Sequence, residues 1–442
     1  MSLNFTIDTT TDVLNNTAGI ALAGKVFNEI GLDLPNHSLI NPQERAAIKT
    51  MAGLIVQGRS SYAEVDLFRN DPLFQQALEF DTVYAPETIR IYLDRLAARF
   101  TPYVLSALET VNMNLLQRVQ MTPIKTKIGQ YLPVDIDVSP MDNSGTRKEG
   151  VGRTYKGCDG YAPIFSYIGS EGYMLNCELR PGTQHCQKGT PEYLEKNLKM
   201  IGELAPSEPI LIRMDSGNDA FTTLSPLMQS GHFFLVKRNL RRESRMRWLD
   251  IALSMGECEE PRRGKVVYTG VLTGSHPKAE ENDELPDVDQ VYQVTIRSID
   301  KKGNVLLFGE VEVEVYWTNL CEDPQTVINL YHDHGTSEQF HSELKTDMDF
   351  ERFPSGKKAV NAILLHIAMV AFNTLRYIGQ TAMGFSSDLP YKHKGKRKRL
   401  RKVISDLIRI SCKVVHHANA WTLRLWDKNP WLPVFRKVYL AI

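Results

Sequence analysis

Four carboxylates stand where an acid costs folding energy unless it is used. Asp135 and Asp137 lie inside the apolar run Leu132-Pro-Val-Asp-Ile-Asp-Val-Ser139, two residues apart and so on one face of a strand. Asp215 follows the apolar run Pro209-Ile-Leu-Ile-Arg-Met214 and precedes Ser216-Gly217. Glu338 lies in Gly335-Thr-Ser-Glu-Gln-Phe-His-Ser-Glu-Leu-Lys345, a segment of helical character. Singly, each has an ordinary reading: Asp215 as a helix N-cap, Asp135 or Asp137 as an edge-strand charge, Glu338 as a solvated helix residue. Together, within one α/β core, they make a hard-oxygen set that selects Mg²⁺ or Mn²⁺, ions held by a few carboxylates plus substrate phosphate oxygens. Two such ions about 3.5–4 Å apart activate a water or hydroxyl and stabilise the leaving oxygen of an in-line phosphoryl displacement. That chemistry acts on nucleic acid. A second reading takes His334, Glu338 and His341, at i, i+4 and i+7, as zinc ligands on one helix face; the spacing matches no strong zinc motif. His416-His417, and Cys177 and Cys186 with His185, have no partner cluster and read as structural.

The elements that must position these groups change character along the chain. Residues 1–125 read as helical, with Ile48, Met51, Ala52 and Ile55 at helical spacing after Pro42, and Ile89, Leu93 and Leu96 after Pro86. Residues 102–120 repeat the pattern. Residues 126–240 give three strands (132–139, 162–168 and 173–179), a helix at 190–204, a strand at 209–214, a helix near 219–230 and a strand at 233–237: an α/β core. Residues 241–314 read as a β-rich insertion with an acidic loop, Glu280, Glu281, Asp283, Glu284, Asp287 and Asp289, and a hairpin turn at Lys301-Lys-Gly-Asn. Residues 315–385 return to helix and complete the core, and 386–442 form a basic C-terminal region.

Composition fits a soluble globular protein of several domains: 442 residues, 42% hydrophobic and 24% charged. Lys plus Arg and Asp plus Glu are 52 each, so an anionic partner must be held by local patches. Two are evident. Lys392, Lys394, Lys396, Arg397, Lys398, Arg399, Arg401 and Lys402 crowd eleven positions without an acid. Lys237, Arg238, Arg241, Arg242, Arg245 and Arg247 are opposed only by Glu243. Each patch is either a solvated face or a phosphate-binding surface. Arg90, near the start of the helix after Pro86, could reach DNA, although a plain bundle helix reads as well. Trp421, Trp426 and Trp431 are expected to pack on the core. Six cysteines without a CxxC pair argue for reduced thiols in a cytoplasmic protein. No export signal is evident, and the apolar stretch Ile363–Leu375, shorter than the ~20 residues of a membrane span, reads as a buried helix.

On these motifs the chain resembles insertion-sequence transposases of the DDE class, with a ribonuclease H-like core. The nearest resemblance is to the branch with a Tyr-Arg-Glu-Lys signature, and there to the insertion-sequence 1380 type. Asp135-Ile-Asp-Val-Ser139 resembles the first motif and Arg213-Met-Asp-Ser-Gly-Asn-Asp-Ala-Phe221 the second; Tyr331, Glu338 and Lys345 fall at the signature's spacing. Thr17-Ala-Gly-Ile-Ala-Leu-Ala-Gly-Lys25, Asn361-Ala-Ile-Leu-Leu and Trp431-Leu-Pro-Val-Phe are similar too, so the resemblance runs over essentially the whole chain. It implies a ribonuclease H-like mixed-sheet core with a β-rich insertion and an N-terminal helical DNA-binding domain. It implies Asp137, Asp215 and Glu338 as the catalytic, metal-binding triad, Asp137 being preferred to Asp135 because a small residue and a Ser follow it. Two Mg²⁺ ions, replaceable by Mn²⁺, are expected. Tyr331, His334 and Lys345 would be accessory DNA contacts, with His334 standing where the signature has Arg. Arg is a permanent planar cation, whereas His is charged only part of the time near neutral pH. Arg90, Lys237, Arg238, Arg241, Arg242, Lys396, Arg397, Lys398 and Arg399 would bind double-stranded DNA, both terminal inverted repeats and target. A homodimer on DNA and no membrane are expected. The rival expectations are a transposase-derived DNA-binding protein without catalysis and a ribonuclease H-like nuclease that cuts but does not join.

Overall fold

The computed structural model describes residues 7–241, 243–274, 276, 287–300, 302–392, 395–418 and 420–442. Arg242, Lys301, Lys394 and the acidic residues Glu280, Glu281, Asp283 and Glu284 lie outside them. The chain divides into two units: residues 120–146 with 150–341, and residues 1–119 with 147–149 and 342–442.

The first of these units is organised by one ten-stranded sheet. Its strands and helices in chain order are β1 (Gln130–Val138), β2 (Ile164–Ile168), β3 (Tyr173–Glu178), α1 (Thr190–Leu204), β4 (Ile210–Met214), α2 (Phe221–Gln229), β5 (Phe233–Lys237), α3 (Arg245–Met255), β6 (Glu257–Arg262), β7 (Lys265–Gly274), β8 (Val288–Ile299), β9 (Val305–Thr318), α4 (Pro324–His334) and α5 (Ser337–Ser342). Sheet order is β6-β7-β8-β9-β5-β4-β1-β2-β3, with the short strand Ile124–Lys125 beside β1. β4 runs parallel to β1 and to β5, and the remaining neighbours along this order are antiparallel.

The central strand β4 is buried at every residue, as a run that is apolar apart from Arg213 requires of a strand covered on both faces. Each such fully buried aliphatic side chain stabilises by about 1.5–3 kcal/mol. Helix α1 begins with Pro191 in its first turn and buries Tyr193, Leu194, Asn197, Met200 and Ile201, one stripe of helical period. Helix α4 is capped by Asp323, whose carboxylate accepts from Thr326 N–H at 3.0 Å. Its Val327, Ile328 and Leu330 pack on Leu211, Leu235, Val291 and Tyr316 of the sheet. Gly335 and Thr336 separate α4 from α5, which passes directly into a π-helical turn, Glu343–Asp347.

The core strands and helices fall where their periodicity places them, with α1 at the expected residues. The 241–314 segment differs in two ways. It opens with a helix, α3, which seats Trp248 and Ala252 on Tyr292, Val294 and Val315. Its strands also extend the core sheet, because the fourteen-residue β9 is long enough to pair with β8 along most of its length and with β5 at its end, Leu235 opposite Thr318.

The other unit contains helices Ile20–Ile30, Pro42–Ile55, Pro86–Leu116, Lys358–Gly384 and Leu432–Ala441, and a three-stranded sheet of Leu14–Asn15, Cys412–His417 and Ala420–Leu425. The two helical runs expected around residue 100 form one element kinked at Phe100, two residues before the donor-less Pro102. Lys358–Gly384 is long and apolar enough to cross a membrane by composition, yet it is mostly buried inside the unit, as expected of the Ile363–Leu375 stretch. Its Asn373 donates to Asn112 at 2.7 Å across the packed helices. The tryptophans divide, against expectation. Trp431 is buried, whereas Trp426 is 64% exposed and Trp421, on an edge strand, stacks on His416 and is also exposed.

Candidate active site

The parallel pairing of β1 with β4 brings the two aspartates together. Leu132 lies opposite Ile210 and Ile136 opposite Met214, so the next residues, Asp137 and Asp215, follow at the carboxyl ends of two neighbouring strands, close enough for the charge of one to act on the other. Carboxyl ends of adjacent parallel strands are where open α/β sheets gather ligands. Two residues earlier the same register opposes Asp135 to Arg213. Here the acid meets a base: Arg213 Nε and Nη2 donate to Asp135 Oδ1 and Oδ2 at 2.6 and 2.8 Å, and Nη1 donates to Leu330 O at 2.7 Å. His334 Nδ1 lies 2.7 Å from Asp135 Oδ1. Asp135, Arg213 and His334 are all buried, and this bidentate pair occupies both oxygens of Asp135. Burial opposes the ionisation of Asp135, but the charges of Arg213 and His334 outweigh it and hold the carboxyl below its usual range.

Asp137 and Asp215 have a different balance. Burial raises Asp137, but His341, whose Nε2 lies 3.3 Å from Oδ2, and the nearby His334 lower it further. Tyr167 OH, 3.2 Å from His341 Nδ1, fixes the imidazole from its other side. Burial, and then the charge of Asp137, push Asp215 up to about 6. Asp215 does cap a turn, Ser216–Asn218: its Oδ1 accepts from Gly217 N–H at 3.2 Å and Asn218 Nδ2 at 2.7 Å. The N-cap reading therefore holds, with one carboxylate oxygen serving the turn. Gly217 keeps that turn close: a Cβ there would lie 3.1 Å from Cys186 Sγ and 3.2 Å from Asp215 Oδ1.

Glu338 is exposed in the first turn of α5. Tyr155 lies in the electrostatic field of Glu338 and of both aspartates. This phenol donates to Val138 O at 2.9 Å; burial, then the charges of Asp137 and Asp215, and lesser ones of Cys186 and Glu338, hold it protonated well above its ordinary value. Tyr331 is half-buried against Tyr316 and His334, with Lys237 Nζ 5.5 Å from its ring centre. Burial and the charges of Asp215 and Asp137 raise it too. Tyr155 and His341's contact with Asp137 escaped the sequence reading, because nothing in local spacing marks a turn tyrosine or separates a carboxylate-orienting histidine from a zinc ligand. His334 and His341 face different aspartates, and helix breaks at Gly335 between them.

Several expected cations are engaged within the fold. Lys237 pairs with Glu314; Arg238 pairs with Glu243, bonds Gln290 Oε1 at 2.7 Å and lies over Trp317 and Trp248. Arg241 is exposed. In the other unit, Lys398 is buried, 2.9 Å from Asp406 and 4.2 Å from the Trp431 ring centre, and Arg399 grips Asp347 at 2.8 and 3.0 Å. Lys396 is exposed, Arg397 partly buried, and Lys345 partly buried on the π turn. Arg90 is exposed and paired with Glu87 and Asp94.

Among the described residues no three His, Cys, Asp or Glu side chains already cluster as a metal site. The donor chemistry nevertheless fits a hard divalent cation: Asp137 and Asp215 are neighbouring carboxylates, Asp215 raised by burial and then by the charge of Asp137, and a cation held there would relieve that charge.

The fold is mixed α/β, with a mixed sheet that carries Asp137 and Asp215 at the ends of its parallel strands. The family model described as Transposase DDE domain group 1 matches residues 36–442, and the chain belongs to that family. It is a DNA transposase, an enzyme of metal-dependent DNA phosphoryl transfer. No curated protein matches the chain. Among solved structures it is similar to the piggyBac transposase in a synaptic complex with hairpin DNA, determined by cryo-EM, at 10% identity and a TM-score of 0.44, over 89% of this chain and 80% of that one.

Proposed function

We propose that Asp137, Asp215 and Glu338 are the catalytic carboxylates, and that the enzyme cuts transposon ends by hydrolysis and then joins a 3′ hydroxyl to target DNA. The register that sets Asp137 beside Asp215, while Asp135 is consumed by Arg213, carries this reading. Asp137, Asp215 and Glu338 would hold Mg²⁺, with Mn²⁺ able to replace it, as two ions. Bound there, the ions would supply Lewis-acid activation of the nucleophile and charge relief at the leaving oxygen. His341 fixes the orientation of Asp137, and the Asp135–Arg213–His334 cluster fixes the strand ends. Tyr331, with Lys237 over its ring, and Lys345 are the accessory groups toward DNA. His334 serves from its place on Asp135, in a branch of the Tyr-Arg-Glu-Lys type similar to insertion sequence 1380. The helices within 1–125 and the exposed cations Arg90, Arg241 and Lys396 contact terminal repeats or target. A homodimer would bring two ends together and act on DNA in the cytoplasm.

The test is cleavage of labelled duplexes carrying the gene's flanking sequences, with Mg²⁺ or Mn²⁺. Wild type is expected to nick at one defined position. Asp137→Asn, Asp215→Asn and Glu338→Gln should abolish nicking while still shifting the duplex on a native gel. Loss of binding in step with loss of cleavage would assign these residues to folding or DNA contact instead.

A further inference from the structure

Tyr155 sits at a corner of the β-turn Thr154–Gly157, closed by Gly157 N–H donating to Thr154 O at 2.9 Å, with Gly157 at φ 82°. The turn joins two short paired strands, Gly152–Arg153 and Asp159–Tyr161, and the Thr154 hydroxyl braces it by donating to Cys158 O at 2.9 Å. Two features of Tyr155 do not belong together in an ordinary surface tyrosine. Its hydroxyl is anchored on Val138 O, one residue beyond Asp137, within the field of Asp137, Asp215 and Glu338. Its side chain nevertheless leaves the residue 67% exposed. The ring is thus fixed at its hydroxyl end, beside Asp137 in sequence, and otherwise open to solvent. Lys156, next on the turn, is exposed, while Arg153 is turned to Asp159 at 3.6 Å.

A rigid open aromatic face with an adjoining cation is what single-stranded nucleic acid binds: bases stack on the ring regardless of identity, and the cation meets phosphate. We infer that Tyr155 is a substrate-positioning residue, its ring stacking on the base bordering the scissile phosphate at the cut strand end, with Lys156 on the neighbouring phosphate. The inference rests on the placement of chemistry at Asp137, Asp215 and Glu338. Tyr155 touches no reacting atom; it holds the strand end in place for those carboxylates.

The experiment uses the full chain and duplexes of the gene's flanking DNA, with the mapped cleavage point flanked by 5-iododeoxyuridine, which photocrosslinks to stacked aromatic side chains. A crosslink to Tyr155 is expected from one flanking nucleotide. Tyr155→Phe keeps the ring and should keep KM. Tyr155→Ala should raise KM by roughly 5- to 150-fold with kcat less affected, and by the same factor whichever base flanks the cut. Tyr155→Leu, which retains bulk without a π face, should resemble Ala with an unchanged Tm, and it stands in if the Ala variant folds poorly. Wild-type KM in both Ala and Leu variants overturns the inference. So does a Phe variant as impaired as Ala, since that would place the whole effect in the Val138 hydrogen bond. Asp215→Asn run in parallel separates the two levels: if it cleaves normally, the carboxylate assignment falls. If it is inactive while Tyr155→Leu is unaffected, only the role of Tyr155 falls.

Discussion

Asp135 lies in β1 and Asp215 directly follows β4, the neighbouring strand of the sheet; burial raises the cost of ionising both, yet their partners drive them in opposite directions. Asp135 faces Arg213 and His334 and is lowered; Asp215 faces Asp137 and is raised to about 6. The signs give opposite pH dependences. A lowered carboxyl contributes stability that is present above its unfolded value, about 3.9, and is lost as pH falls through the folded one. Asp135→Asn should therefore destabilise at neutral pH by about 3–5 kcal/mol, because Arg213 is left buried without its anion. A raised carboxyl does the reverse: its charge costs stability increasingly as pH rises from about 4 to about 6. In chelator, Asp215→Asn should accordingly be more stable than wild type at pH 7.5, with the gain vanishing near pH 4. Urea midpoints of both variants across pH test the pair, and an Asp215→Asn gain that persists at pH 4 would contradict the charge account. Added Mn²⁺ should stabilise wild type and not Asp215→Asn.

At the scale of elements, the seat of Glu338 depends on a glycine far from it in sequence. Gly172, at φ 71° in the turn between β2 and β3, lies so close to Phe340 of α5 that any Cβ would overlap the ring. Phe340 also packs on Tyr167, which supports His341. The substitution Gly172→Ala combines left-handed strain with this overlap and should cost more than about 1 kcal/mol. If α5 is displaced, cleavage should fall while the sheet, read by far-ultraviolet circular dichroism, stays intact. Unchanged cleavage would mean that α5 does not need that contact. The strands and helices around the site were legible because each carries a clean period: β4 an apolar run interrupted only by Arg213, α1 a helical stripe. Asp215 was legible as a strand-end acid. The equal two-residue offset, Asp135 to Asp137 and Arg213 to Asp215, held the clue to the buried ion pair, but register between distant strands is set by tertiary pairing and no local pattern states it. For the same reason α5's contact with Gly172 and the anchoring of Tyr155 on Val138 were not legible. The continuity of β9 with β5 was hidden because an insertion and a sheet extension share the same alternation.

For the whole molecule, a formal net charge of zero means that DNA affinity must come from cations the fold has not already neutralised. Runs of basic residues overstate that number. Lys398 and Arg399 are spent on Asp406 and Asp347, and Lys237 and Arg238 on Glu314 and Glu243, whereas Lys396, Arg241 and Lys156 are exposed. Salt dependence distinguishes the two groups, because each phosphate contact contributes about 0.9 to the slope of log Kobs against log salt concentration. Lys396→Ala and Arg241→Ala should each lower that slope by about 1 and leave Tm unchanged. Lys398→Ala should lower Tm, since Asp406 and the Trp431 face lose a buried cation, and leave the slope as in wild type. Fluorescence anisotropy of a labelled terminal duplex over a range of salt concentrations, paired with thermal melts, measures both. A slope reduced by Lys398→Ala and untouched by Lys396→Ala would reverse the assignment and make the buried cation, released from Asp406, the one that meets phosphate.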